Sequence, residues 1–323
     1  MVVDIALLNV EVEALLEPLD GLLGHVAEVA VAASIEHQRE HHRMLAGAPA
    51  PIARSPASAS LIAMRVTFLG TGTSVGVPVM TCDCPVCASS DGRNRRLRAG
   101  LLLDWTNSAG EASRVLVDTT TDLRQQALRV DLDRVDGVLY THHHADHILG
   151  LDELRIFNFV HGVSIPLYGR SETMDAIRHT FAYAFDANAR GVPRIDVHVT
   201  DGPFDVRGIR VIPVPVEHHR LTISAYRIGN FAYITDCSGI PESSAEMLRG
   251  VEILVIDALR RTPHPAHFTL DQALAEIERL APDTAYLTHL SHEFEHGELE
   301  KELPDGVHVA YDGLVLEADE AAA

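Results

Sequence analysis

The sequence has little of what a membrane-spanning or nucleic-acid-binding protein needs. Only 5% of its 323 residues are aromatic, and its 26 lysines and arginines are outnumbered by 46 aspartates and glutamates. The resulting formal net charge of −20 argues against broad electrostatic binding to nucleic acid or to an anionic membrane. No run of about 18 uncharged apolar residues occurs, so no membrane span is expected.

Cysteine is also scarce, and its placement is informative. Three of the four cysteines, Cys82, Cys84 and Cys87, fall within one short stretch. The chain begins Met-Val-Val-Asp, without the cationic segment of a secretory signal. Clustered cysteines in a chain without an export signal indicate metal binding rather than disulfides. We therefore expect a cytoplasmic protein.

Residues 1–63 differ in composition from the remainder. Leucine-rich, acidic segments are followed, from residue 47 onward, by a stretch dense in Pro, Ala and Ser that is typical of a linker. Two interpretations stay open: a helical appendage on a tether, or an upstream extension with Met64 as the true start. Residues 64–317 show a regular α/β pattern and are predicted to form one domain, with 318–323 as a disordered tail.

The most informative stretch is Thr141–His147, which contains the pattern His-x-His-x-Asp-His directly after an apolar, strand-like segment. Imidazole and carboxylate groups are ligands for zinc, iron and manganese. Alternate residues at a strand end point to the same side, so His142 and His144 can share one cation. Asp146 and His147, where the chain turns, can face a second cation beside it.

Three later strands also end in a histidine or an aspartate, and strand ends are where α/β sheets gather their sites. His142, His144 and His218 are predicted to hold one metal, and Asp146, His147 and His289 the other. Asp236 would bridge the two, since a carboxylate can offer one oxygen to each cation. His219 remains an alternative to its neighbour His218. All these donors are nitrogen or oxygen, so zinc, manganese and iron stay open.

These motifs resemble the metallo-β-lactamase-fold hydrolases over residues 64 to about 317, and most of all the PhnP-type cyclic phosphodiesterases. The further matching segments are Gly70–Pro78, the Cys-x-Cys-x-x-Cys of 82–87, and Thr288–His292. The resemblance implies an α/β protein with an αββα sandwich and a dimetal site at one edge of the sheets. It favours His218 over His219. It also implies hydrolysis of a small phosphodiester, such as a ribosyl 1,2-cyclic phosphate, with two manganese or zinc ions.

The resemblance further implies that Cys82, Cys84, Cys87 and His292 bind a structural zinc. Three thiolates and one imidazole suit the closed tetrahedral coordination of structural zinc sites. Cys237 is interpreted as a small buried hydrophobe.

The predicted catalytic residues are His267 and Asp146. The resemblance places His267 near the metals, and a loop histidine with a pKa near neutrality can donate or accept a proton. His264 is a nearby competitor for this role. Asp118, at a strand end, is a candidate for orienting a ligand histidine.

Other polar residues received weaker interpretations. The arginines of 93–98 could attract a phosphodiester, although a solvated basic face is the favoured interpretation. Arg155 and Asn158 are weaker candidates for substrate contact, although a role as polar residues on the surface of a helix is the favoured interpretation.

Several functions compete with the phosphodiesterase. Within the fold they are an RNA 3′-processing nuclease, a lactonase, a thioesterase and a protein like the B component of pyrroloquinoline quinone biosynthesis. Outside it stands a non-catalytic metal-binding or sensor protein. We expect a small-molecule phosphodiester as the partner, and the formation of a homodimer stays open.

Overall fold

The structure, a computed structural model, describes residues 62–107 and 109–320, and the interpretations of residues 1–61 and 321–323 lie outside these ranges. The strands are β1 (Ile62–Gly70), β2 (Gly100–Thr106), β3 (Ala112–Val117), β4 (Gly137–Leu139), β5 (Ile165–Gly169), β6 (Ile195–Val199), β7 (Phe204–Val206), β8 (Ile209–His218), β9 (Leu221–Ile228), β10 (Phe231–Ile234), β11 (Ile253–Asp257), β12 (Thr284–Thr288), β13 (Val307–Val309) and β14 (Val315–Glu320). The α-helices are α1 (Leu123–Arg129), α2 (Ala145–Ile148), α3 (Arg155–His161), α4 (Ser171–Thr180), α5 (Glu242–Leu248), α6 (Leu270–Leu280) and α7 (His296–Glu302). Short 3-10 helices cover Gly92–Asn94, Leu151–Leu154 and Ala182–Phe185.

The strands form two seven-stranded sheets. The first has the order β14-β1-β2-β3-β4-β5-β6 and the second β13-β12-β11-β10-β9-β8-β7. One apolar cluster contains inward-facing residues of both sheets, among them Phe68, Leu139 and Tyr233. Two further clusters join the outer face of each sheet to its helices. The predicted αββα sandwich is confirmed.

Local sequence explains individual elements. β10 and β11 are short apolar runs, because both faces of these parallel neighbours are covered. Helix α6 begins at a capping box, as predicted. The Thr269 hydroxyl accepts the Gln272 N–H at 3.2 Å, and the Gln272 side chain accepts the Thr269 N–H at 2.9 Å.

The boundaries of the first sheet differ from those expected. β1 begins at Ile62, two residues before Met64, and β14 continues through 318–320, which were predicted to be disordered. Ile62 pairs with Glu320 and Ala63 with Asp319 in an antiparallel ladder. The acidic composition of the tail hid a strand that is ordered by main-chain pairing with β1 and by the buried Ala318. Within the described residues, no helix is both long and apolar enough to cross a membrane.

Candidate active site

The predicted ligands converge from both sheets. In the first sheet, β4 runs parallel to its neighbours β3 and β5 and leads into the histidine-rich loop and α2. In the second sheet, β8 ends at His218, β10 is followed by Asp236, and β12 by His289. The structure thereby brings together two groups of donors, each with its atoms within 4.8 Å of one another: His142, His144 and His218, and Asp146, His147, Asp236 and His289.

Asp236 lies between the two groups. In the first group, Nε2 of His142 and Nε2 of His218 lie 3.0 and 3.2 Å from Nδ1 of His144. One oxygen of Asp236 is 3.3 Å from Nε2 of His147, and the other is 3.3 Å from Nε2 of His289 and 4.0 Å from Nε2 of His142. Asp236 therefore belongs to the second group and also reaches the first through one oxygen, which makes it the candidate for a bridging carboxylate.

The donor chemistry fits divalent cations. Among the described residues, the buried Nε2 atoms of His147 and His289 have no hydrogen-bond partner, although an unsatisfied buried polar atom costs about 1–3 kcal/mol. Donor atoms roughly 3.3 Å apart suit a common cation at about 2.0–2.2 Å from each. The fold implies divalent metal binding, and a bound cation would give these nitrogen atoms the partner that they lack.

Electrostatics favour the ligand form of most of the histidines. Burial lowers the pKa of His142, His144 and His289, and lowers that of His218 to about 4. Neutral imidazole is the form that binds metal. Burial alone would lower the pKa of His147, but Asp236, Asp146 and Asp118 raise it well above its ordinary value. A bound cation would replace the proton at this imidazole.

Asp118 holds His147 in place. The carboxylate is buried and accepts hydrogen bonds from Nδ1 of His147 at 2.7 Å and from the Thr141 N–H and hydroxyl, each at 2.8 Å. This contact fixes the orientation of the ring and aims Nε2 at the donor group. It is the geometry expected of the orienting role suggested for Asp118.

The alternative between two neighbouring histidines has a structural answer. His218 is buried and its Nδ1 donates to the carbonyl oxygen of Ala266 at 2.7 Å. His219 is exposed, has a positive φ of 55° and lies outside both donor groups. The structure therefore places His218, and not His219, among the candidate ligands.

His267 lies against the site and contacts a carboxylate that the sequence analysis missed. Its ring stacks on His289 with centroids 4.8 Å apart, and its Nδ1 is 3.4 Å from the buried Asp257 and 3.9 Å from Asp236. Asp257 ends β11, so a strand-end carboxylate, the signal that identified Asp236, could have found it. His264 stands farther out, with its ring centroid 5.0 Å from that of His267.

The three clustered cysteines form a separate group with His292. Nδ1 of His292 lies 3.3, 3.7 and 3.4 Å from the sulfurs of Cys82, Cys84 and Cys87. A tetrahedral zinc with the usual bond lengths would set these separations at roughly 3.6 Å. A hydrogen bond from the Cys87 N–H lowers the pKa of Cys84 to about 7, whereas burial raises that of Cys87 to about 11. Cys237 is buried away from this group, as interpreted.

The glycine-rich loop packs on the segment that links the histidine–aspartate site to the cysteine group. The Leu290 N–H donates to the Thr71 carbonyl at 2.9 Å, so the loop pairs with the segment between His289 and His292. A Cβ at Gly72 would lie 2.8 Å from the Arg96 carbonyl oxygen, closer than such atoms approach. Glycine is required there because two backbone segments pack directly on it.

The interpretation of the arginine cluster as a solvated basic face is wrong for Arg96. This side chain is buried and donates to the Ser291 and Phe294 carbonyls at 3.0 and 2.9 Å. Arg98 pairs with Asp122 at 3.0 Å, and Arg93 pairs with Asp91. Arg96 therefore braces the segment that carries His292, whereas Arg93 and Arg98 are neutralised by aspartates elsewhere.

Asn158 is likewise not a surface residue. It is fully buried, and its amide donates to the carbonyl oxygens of Val163 and Arg194. Arg155 pairs with Asp152 at 3.3 Å and is half exposed. Asn158 therefore stabilises the chain around β6 rather than contacting a substrate.

Comparisons with known proteins agree with this geometry. A family described as "Beta-lactamase superfamily domain" matches residues 113–290. A solved structure of a new diphosphatase from the PhnP family is 42% identical, covers 81% of this chain and 100% of its own, and superposes with a TM-score of 0.75. This chain belongs to the PhnP family of the β-lactamase superfamily. As a PhnP-family protein it is a metal-dependent hydrolase.

Two curated relatives carry other names. An octanoyltransferase of Porphyromonas gingivalis is 38% identical over 265 residues, which are 80% of this PhnP-family chain and 52% of that protein. The chain thus spans about half the length of this relative. A ribonuclease Z of Methanopyrus kandleri is 25% identical over 290 residues, covering 77% of this chain and 96% of that protein.

Proposed function

We propose that this PhnP-family chain hydrolyses a small phosphodiester, with a cyclic phosphate on a sugar, such as a ribosyl 1,2-cyclic phosphate, as the expected substrate. The observation that carries the proposal is the position of Asp236 between two groups of nitrogen and oxygen donors, with His267 against the same carboxylate. In this proposal His142, His144 and His218 hold one divalent cation, Asp146, His147 and His289 hold the other, and Asp236 bridges them.

Two cations at such a site, manganese or zinc, lower the pKa of a water molecule and neutralise charge on a phosphoryl group. The residues supply the remainder of the chemistry. Asp118 keeps Nε2 of His147 aimed at the donor group. His267 can hold a proton at Nδ1, the atom that faces Asp257 and Asp236, and would deliver it to the departing oxygen as the bond between that oxygen and phosphorus breaks.

The net charge of the chain favours a small-molecule substrate. A net charge of −20 disfavours a polynucleotide, which needs many cationic contacts along its backbone. A single phosphodiester needs only the dimetal site. The charge of this chain therefore argues against its acting as a ribonuclease like its more distant relative.

A second candidate substrate is a diphosphate, which the name of the 42% identical relative favours. Octanoyl transfer is not favoured. Acyl transfer through a cysteine needs an accessible thiolate, whereas Cys237, next to Asp236, is buried and its pKa is raised by that burial. The other three cysteines surround His292, where we propose a structural zinc.

The decisive experiment is a substrate panel on protein reconstituted with manganese or zinc. The panel contains aryl phosphodiesters, cyclic phosphates, diphosphates, phosphomonoesters, a lactone, a thioester and an RNA with a 3′ extension. We expect turnover of the aryl diesters and cyclic phosphates, with little action on monoesters. Preference for the lactone, the thioester or the RNA over every diester would overturn the proposal.

A further inference from the structure

Arg170 stands beside the histidine-rich loop and has no place in the site described so far. It directly follows β5, which is the parallel neighbour of β4, with Leu139 level with Tyr168. The Tyr140 N–H donates to the Tyr168 carbonyl at 2.8 Å, so the pairing continues past the end of β4. Arg170 is therefore level with Thr141, the residue before the candidate ligand His142, at about the 4.8 Å spacing of adjacent strands.

The alternation of side chains directs Arg170 into the cleft between the sheets. Leu139 and Tyr168 face the core between the sheets, and Tyr140 faces the outer helices. Successive side chains of a strand point to opposite faces, so Arg170 shares the inward face of Tyr168. Thr141, at the same level, accepts a hydrogen bond from the Ser224 N–H on β9 of the other sheet at 3.0 Å. Arg170 thus lies where the two sheets meet beside the candidate metal ligands.

The guanidinium of Arg170 has a single loose ion-pair partner among the described residues, the exposed Glu172. Within residues 62–107 and 109–320, its buried Nε has no hydrogen-bond partner. The Glu172 oxygen that faces Arg170 is 3.7 Å from its Nε and already accepts from the Ser171 hydroxyl at 3.2 Å. Other arginines of the region are engaged: Arg178 pairs with Asp175 at 3.0 Å, and Arg260 donates to the Thr262 and Pro263 carbonyls of its own loop.

We propose that Arg170 binds a second anionic phosphate of the substrate, next to the phosphoryl group that reacts at the metals, and so selects diphosphates over simple diesters. This inference rests on the proposed dimetal site and on its second candidate substrate, the diphosphate, rather than on the cyclic phosphate. A planar guanidinium with free donors matches phosphate oxygens. Two divalent cations neutralise the reacting phosphoryl, whereas the second phosphate of a P–O–P linkage needs a cation of its own. Water adds to the reacting phosphorus, the P–O bond to the bridging oxygen breaks, and that oxygen leaves on the second phosphate.

The test compares Arg170→Gln with wild type on two reporters: a nucleoside nitrophenyl phosphodiester with one phosphate, which releases nitrophenol, and a disubstituted diphosphate, whose product is detected by chromatography. We expect the KM for the diphosphate to rise about ten- to hundredfold, because a hydrogen bond to a charged group is lost. The KM for the single-phosphate diester should stay within about twofold. Arg170→Lys, which keeps the charge, should recover part of the loss. Arg178→Gln, at a paired arginine on the helix that follows Arg170, is the matched control.

Binding measurements separate this inference from the proposed function. Inorganic diphosphate and orthophosphate are titrated into metal-loaded protein by calorimetry, which needs no turnover. We expect Arg170→Gln to weaken diphosphate binding about tenfold or more and orthophosphate binding far less. Equal losses for both anions, or for both reporters, would show that Arg170 contacts the reacting phosphoryl instead. No change in either measurement would overturn the inference, even if the wild type hydrolyses every diester of the panel.

Discussion

The histidine–aspartate site and the cysteine group of this chain are built in different ways. The histidine and aspartate group takes its members from the ends of strands in both sheets, and most of them are buried. The cysteine group takes three members from one short loop, with Cys82 and Cys84 partly exposed, and a single histidine from elsewhere. The first is held by the fold around it, whereas the second would depend on its metal. A metal whose site is not preformed contributes its binding energy to folding.

Asp236→Ala should have the largest effect, because it removes the carboxylate that lies between both halves of the buried group. We expect hydrolysis of an aryl phosphodiester to fall by more than about a hundredfold, beyond the usual cost of altering a residue that only supports a ligand. Metal content, measured by elemental analysis, should fall as well. Asp205→Ala, an exposed carboxylate on β7, is the control. Wild-type turnover in Asp236→Ala would contradict the ligand assignment.

His267→Ala should separate chemistry from metal binding within the same group. We expect the two catalytic metals to stay bound and the rate on a cyclic phosphate to fall by about 10²–10⁴. An aryl diester should lose much less, because a nitrophenolate leaves without needing a proton. Asp257→Asn should give the same selective loss in milder form. A uniform loss on both substrates would instead assign His267 to binding or to structure.

Cys84→Ser should affect the cysteine group, and here stability rather than catalysis should be lost. We expect the loss of one zinc and a lower thermal unfolding temperature, with the residual activity following the folded fraction. The Cys237→Ala variant should keep its zinc, since Cys237 lies outside the group. Unchanged zinc content in Cys84→Ser would exclude the proposed structural site.

Removing the N-terminal segment should have the smallest effect, since no proposed ligand lies before Cys82. Protein that begins at Ile62 should hydrolyse diesters at the wild-type rate. Protein that begins at Met64 should be slightly less stable, because two cross-strand pairs with β14 are lost and each contributes about 0.2–1 kcal/mol. Denaturant unfolding of the two proteins measures the difference. Insoluble or inactive protein from both starts would show that the segment is needed.

The sequence was most informative where one residue type fits one chemistry. The histidine-rich loop and the strand-end Asp236 could be placed because ligands collect at strand ends. Asp257 has the same signal but lacks a neighbouring motif, and its importance depends on contact with the distant His267. Arg96 could not be read correctly, since its burial results from carbonyls about 200 residues away. The end of β14 was missed because it is acidic and offers one small apolar residue, Ala318, while its main-chain pairing with β1 leaves no sequence signal.

Three of the residues that shape the buried group have a left-handed backbone. Asp118, Asp236 and His289 have φ values of 65°, 56° and 57°, a conformation that is uncommon outside glycine, asparagine and aspartate. The residue at each of these positions must therefore both offer the required side-chain atom and tolerate a positive φ. Few substitutions can therefore remove a donor atom without also changing the local backbone. Asparagine at 118 and 236 should keep the turn, whereas valine or isoleucine would remove the donor and strain the backbone together.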